Sequence, residues 1–117
     1  HQILSARKIV DKIHISESIQ KYIISLVFAT REPKNYGLND LDTLINYGAS
    51  PRATIFLATA SKSHAFLNKR GFVIPEDVRS VGKSILRHRI ILTYEAEAEE
   101  ITTEDIIQRI YESVPTP

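Results

Sequence analysis

Several groups of residues in this sequence have types and spacings that chemistry could use. Gly82-Lys83-Ser84 has the ending of a phosphate-binding loop. The complete motif places another glycine five positions earlier, in a strand-to-helix loop whose amides cradle phosphate. Here that position holds Asp77, whose carboxylate repels phosphate, and the flanking residues have the pattern of a helix interior. No nucleotide-cradling loop is predicted. Of the histidines, His1, His14, His64 and His88, no two stand three or four apart, so none forms a helical metal pair. His64 falls on an apolar helical face, where a hydrogen-bonded core histidine is expected. Glu76-Asp77 and Glu104-Asp105 open helices, where the dipole favours carboxylates, and Glu97, Glu99 and Glu100 read as a solvated run. No Ser-His-Asp arrangement is supported.

Arg52 stands apart. Ser50 is a natural N-cap, Pro51 suits the first helical position, and Arg52 follows in the first turn. A cation there opposes the helix dipole by roughly 0.3–1 kcal/mol. A helix N-terminus with free N–H groups beside a guanidinium fork is, however, a good phosphate site. The phosphate would have to be brought by another part of the protein.

The elements that position these residues are mostly helical. Ile3, Ala6, Val10 and Ile13 predict a helix over about 2–12. Ile19, Tyr22, Ile23, Leu26 and Val27 form an amphipathic stripe, capped by Ser16 and ending before Pro33. Residues 32–49 read mainly as a loop, with a helical turn around Leu38, Leu41, Leu44 and Ile45. The third helix is expected from Ser50 to Arg70, burying Ala53, Phe56, Leu57, Ala60, His64 and Leu67, with Gly71 as its C-terminal cap. Pro75 opens a fourth helix whose buried side is Val78, Val81, Ile85 and Leu86. Residues 90–94 are expected to be extended and to pair with 72–74. A last helix begins at Thr102 or Thr103 and buries Ile107, Ile110, Tyr111 and Val114. The predicted fold is mainly α, a bundle of about four to five helices with a short two-stranded β element.

Composition sets the outer limits. The 117 residues suit one domain. The net charge is +1, with no clustered basic excess to imply a nucleic-acid partner, and no apolar run is long enough to imply a membrane one. The chain has no cysteine, which removes thiolate chemistry and fits a cytoplasmic protein. It has no methionine and no signal-peptide pattern at His1-Gln2-Ile3, so a piece of a longer protein is expected.

Gly48-Ala49-Ser50-Pro51-Arg52-Ala53 resembles the sensor-2 segment of MoxR-type AAA+ ATPases. Tyr22-Ile23 through Ala29-Thr30-Arg31 resembles the helix that precedes it. Arg70-Gly71-Phe72-Val73-Ile74-Pro75-Glu76-Asp77-Val78 resembles the family's glycine-proline connection, and Leu86-Arg87-His88-Arg89-Ile90 with Tyr94-Glu95-Ala96 the segment beyond. One departure is Ile74, where a capping threonine is usual. The resemblance implies that residues 1–117 are a single C-terminal lid domain. ATP and Mg2+ would be bound mainly by a preceding core domain. Arg52 would contact the nucleotide γ-phosphate, with Ser50 and Pro51 supporting its helix start. It further implies chaperone-like remodelling by a ring of subunits, acting on clients that include von Willebrand factor A domain proteins. The fragment alone is expected to fold without hydrolysing ATP or binding it tightly. Two other classes compete. A stand-alone helical interaction module would show a large exposed apolar patch. A winged-helix-like DNA binder would use Lys83, Arg87 and Arg89, against which the near-zero net charge argues.

Overall fold

The computed structural model describes residues 12–117. The helix expected over about 2–12 falls outside them but for its last residue. Among the described residues the chain forms five α-helices, two 3-10 turns and two short strands. Helix α1 (Glu17–Arg31) begins where Ser16 Oγ accepts from the Ile19 amide at 3.2 Å. Its apolar stripe, Ile19, Tyr22, Ile23, Leu26 and Val27, is buried throughout. The remaining elements are α2 (Ala53–Leu67), α3 (Pro75–Arg87), α4 (Tyr94–Ala98) and α5 (Thr103–Ser113). Helix α2 packs chiefly on α3, and α1 lies against α2, α3 and α5. Leu26, Leu57, Val78, Leu86 and Ile107 meet in one core. The mainly helical bundle with a small β element is as the sequence predicted.

The β element differs from expectation. Strand β2 (Ile91–Leu92) pairs antiparallel with β1 (Ile45–Tyr47), not with residues 72–74. The 71–73 backbone is already engaged: His14 donates to the Gly71 carbonyl and accepts from the Val73 amide, both at 2.9 Å. Strand β2 instead continues the ladder through the Thr93 amide on the Leu44 carbonyl, at 3.0 Å. The stretch read as loop therefore holds a strand, preceded by 3-10 turns at Pro33–Tyr36 and Asn39–Thr43. Polar and glycine residues around it hid a three-residue strand with little apolar signature. The acidic run after Thr93 is also ordered. Thr93 Oγ1 caps α4 by accepting from the Ala96 amide, Ala96 is buried, and the glutamates face water.

Helix α2 departs from the predicted bounds at both ends. It stops at Leu67, and Lys69, not Gly71, takes the left-handed conformation (φ 60°). The Arg70 amide then reaches the Ala65 carbonyl and the Lys69 amide the Phe66 carbonyl, each at 2.9 Å, the paired bonds of a Schellman cap. Its buried face is Ala53, Leu57, Ser61 and Ala65, an i, i+4 row of mostly small residues that lets α3 approach closely. Phe56 and Leu67, expected inside, are 50% and 77% exposed.

Candidate functional site

The N-terminal end of α2 is fixed from outside the helix. Thr30, buried near the end of α1, donates its hydroxyl to the Val27 carbonyl at 2.6 Å and accepts from the Ala49 amide at 2.9 Å. The neighbouring Arg31 guanidinium donates to the Ala49 carbonyl at 3.1 Å. One peptide segment is thus held at both its N–H and its C=O. Gly48 makes the approach possible, because a Cβ there would run into the Thr30 carbonyl and stand 2.8 Å from Arg31 Cα. Ala49 is fully buried beneath this clamp.

From that fixed point the chain turns into α2. The Arg52 amide donates to Ser50 Oγ at 3.2 Å, the Ala53 amide to the Ser50 carbonyl at 2.8 Å, and the Thr54 amide to the Pro51 carbonyl at 3.1 Å. The regular helix therefore begins at Ala53, two residues later than Pro51, after a tight lead-in turn. The expectation of free first-turn N–H groups is corrected by these bonds. The amides of Arg52, Ala53 and Thr54 already have acceptors, so an anion at this end meets mainly the guanidinium. Arg52 itself is exposed, and among the described residues no carboxylate pairs with it.

A second charged cluster sits at the opposite end of α2. Asp77 is fully buried. Its carboxylate accepts two bonds from Arg70 (2.5 and 2.7 Å), one from the Ile74 amide at 2.8 Å, and meets His64 Nδ1 at 2.6 Å. Burial alone would raise the Asp77 pKa. The Arg70 fork, the Ile74 amide and His64 outweigh it and hold the carboxyl at about 2. This clasp joins the end of α2, the 70–74 link and the start of α3. It also performs the capping that Ile74 cannot, since the side chain at the third helical position reaches back to the N-cap amide. His64 is the hydrogen-bonded histidine expected, but its side chain is 32% exposed. The one hint in the sequence was an aspartate two residues after a helix-opening proline that follows a non-capping isoleucine. The Thr30 clamp had no comparable signal, because it joins residues 19 apart through one hydroxyl.

The glycine-lysine-serine stretch lies inside α3, as expected. Gly82 is buried where Tyr111 of α5 crosses, and the Tyr111 hydroxyl donates to the Arg79 carbonyl at 2.9 Å. Among the described residues no three His, Asp, Glu or Cys side chains come together to hold a metal ion, and no helix is long and apolar enough to cross a membrane.

A helical bundle with a two-stranded ribbon of this kind has known counterparts. The AAA lid domain family matches residues 40–110. The chain is 38% identical over 115 residues to Chaperone MoxR1 of Mycobacterium tuberculosis, spanning 98% of this chain and 30% of that protein. It is 33% identical over 111 residues to Protein MoxR of Methylorubrum extorquens, spanning 90% of this chain and 32% of that one. A crystal structure from Cytophaga hutchinsonii, described as a candidate ATPase, superposes with a TM-score of 0.90 at 52% identity, over 94% of this chain and 33% of the other. The chain belongs to the AAA lid domain family, and its relatives include MoxR proteins. It spans about a third of the length of each of these proteins.

Proposed function

We propose that residues 1–117 are the C-terminal lid of a longer MoxR-type AAA+ ATPase, and that Arg52 is its sensor-2 arginine. The observation that carries this reading is the contrast between a rigidly positioned backbone and an unpaired side chain. Thr30, Arg31 and Gly48 fix the segment leading to Arg52, yet the guanidinium has no carboxylate partner among the described residues. Positioning of this kind is useful when the partner arrives from another domain or subunit. A planar fork of donors suits the γ-phosphate oxygens of ATP and can follow their charge as the phosphoryl group transfers. The described residues supply no phosphate loop and no metal cluster, so the core domain would hold ATP and Mg2+. The lid would close on the bound nucleotide, in its own subunit or a neighbouring one of a ring, and reopen after hydrolysis. That cycle would drive chaperone-like remodelling of client proteins in the cytoplasm, von Willebrand factor A domain proteins among them.

The test is turnover by the full-length protein. Arg52→Ala lowers ATP hydrolysis by about 10-fold for a coupling role and by roughly 1,000-fold or more for direct charge stabilisation. Arg52→Lys rescues poorly, because a point charge cannot reproduce bidentate contact. Turnover of Arg52→Ala within about twofold of wild type, a change of less than 0.5 kcal/mol in the barrier, contradicts the assignment.

A further inference from the structure

Among the described residues, Arg52 is not the only guanidinium without a carboxylate partner. Phe56 follows Arg52 by one helical turn, and its amide donates to the Arg52 carbonyl at 3.4 Å. Residues at this spacing are surface neighbours, with Cβ atoms about 5–6 Å apart. The Arg89 guanidinium lies over the Phe56 ring, 4.9 Å from its centre. We propose that Arg89, held over Phe56, is a second phosphate-facing arginine that acts together with Arg52 on the same nucleotide. The inference rests on the sensor-2 reading of Arg52 and adds a residue to that site.

Three features support it. First, the Arg89 backbone is fixed on both sides. Its amide donates to the Leu86 carbonyl at 2.9 Å, and Ile90, the next residue, is buried in the core. Second, the ring under Arg89 serves the domain's own packing poorly. Phe56 is 50% exposed and is not among the buried residues of α2. A guanidinium resting on an aromatic face keeps its in-plane N–H donors free for an anion while its direction is restricted.

Third, three of the other arginines are held by carboxylates, and Arg31 is held by the Ala49 carbonyl. Arg70 is held by Asp77, Arg87 by Glu104 and Arg109 by Asp40. Arg79 lies in a groove shared with Glu76 and Glu112. Among the described residues no carboxylate pairs with Arg52 or Arg89. Two arginines that flank one exposed ring, with no carboxylate partner among the described residues, fit an incoming ligand with more than one negative charge, as a nucleotide polyphosphate has. With Arg52 on the γ-phosphate, Arg89, over the ring one turn along α2, would reach a neighbouring phosphate or a second γ-oxygen.

The experiment is steady-state ATP hydrolysis by the full-length protein, with kcat and KM measured separately and folding checked by thermal midpoint. Arg89→Ala lowers kcat about tenfold, a loss of the size expected for one charged contact made in the transition state. In an Arg52→Ala background the same change has a much smaller effect, because residues that act as a unit are not additive. Phe56→Ala reproduces part of the loss, whereas Phe56→Tyr, which keeps the ring, restores it. If Arg89→Ala prevents folding, Arg89→Gln and Arg89→Lys keep the stem over the ring, and a deficit in both supports the pair. Arg89 and Phe56 variants within about twofold of wild type, while Arg52→Ala is defective, overturn this inference and leave the sensor-2 reading intact. A loss from Arg89→Ala that is equal with and without Arg52 also overturns it. If Arg52→Ala itself is silent, the parent reading fails and this inference fails with it.

Discussion

At the C-terminal end of α2, Arg70 folds back onto the buried Asp77, and every hydrogen-bonding direction of the carboxylate is engaged by Arg70, His64 or the Ile74 amide. At the N-terminal end, Arg52 is exposed and has no carboxylate partner among the described residues, although the backbone leading to it is held by Thr30 and Arg31. Both ends place an arginine with care. In one the charge is neutralised inside the fold and joins two helices. In the other the packing effort goes into the backbone, and the charge is left over. The difference separates residues that hold the domain together from one available to something outside it. Substitutions at the two ends should therefore fall into different classes, stability at one and turnover at the other.

The largest effect on stability is expected at the clasp. Asp77→Ala leaves Arg70 partly buried without its partner and the Ile74 amide without its acceptor. Breaking a buried pair from one side costs about 3–5 kcal/mol, which a urea midpoint of the domain would register as a major loss. The clasp also predicts an acid transition. The Asp77 carboxyl titrates at about 2 in the folded domain, against about 3.9 in an unfolded chain. Its contribution is complete above the unfolded value and is lost as pH falls through the folded one. Between about pH 4 and pH 2, roughly 2 kcal/mol should disappear, and Asp77→Asn should flatten that part of the stability–pH curve. A wild-type domain whose stability stays constant over that range would break the comparison from this side.

The clamp comes next. Gly48→Ala forces a methyl group against the Thr30 backbone, an overpacking expected to cost about 1–3 kcal/mol. In the full-length protein it should also displace Arg52 and reduce turnover. Thr30→Val removes the hydroxyl and leaves the buried Ala49 amide without an acceptor, at a cost of about 1–2 kcal/mol. Thr30→Ser keeps the hydroxyl and should restore activity more fully than stability. Equal losses of both in the serine variant would mean that Thr30 matters only as packing.

Smaller still is Ile74→Thr. A new N-cap is typically worth about 1 kcal/mol. Asp77 already satisfies the Ile74 amide, and the Asp77 amide already donates to the Ile74 carbonyl at 3.0 Å. Ile74 is also half-buried. The gain should therefore fall below about 0.5 kcal/mol, and a midpoint raised by the full value of a cap would show that the clasp caps poorly.

Much of this frame was legible in the sequence because the signals were local. The stripe from Ile19 to Val27, the Ser16 cap and the Pro75 start are local signals and stand where expected, and the last helix begins at Thr103, one of the two starts expected. The Ser50–Arg52 segment could be read as a candidate site from its residue types, and Gly48 and Ala49 only through the family resemblance. What could not be read depended on distant partners. Strand β2 pairs with residues more than forty positions earlier, and the Thr30–Ala49 bond joins two segments that look unrelated in sequence. The left-handed residue at the end of α2 was assigned to glycine on intrinsic preference. The Lys69 conformation reflects a tertiary demand, since the turn there brings Arg70 round to Asp77.

Arg52→Ala should cost no stability and have the largest effect on rate. Removing a cation from the N-cap of α2 relieves an unfavourable interaction with the helix dipole, worth at most roughly 0.3–1 kcal/mol, so the domain should be as stable as wild type or slightly more so. The decisive measurement compares ATP affinity with the single-turnover rate of bound ATP in the full-length protein, for wild type and Arg52→Ala. The account predicts affinity changed by no more than about threefold and a hydrolysis rate lower by about tenfold or more. An unchanged single-turnover rate, with the thermal midpoint also unchanged, would show that Arg52 is an ordinary surface residue and would contradict the central claim.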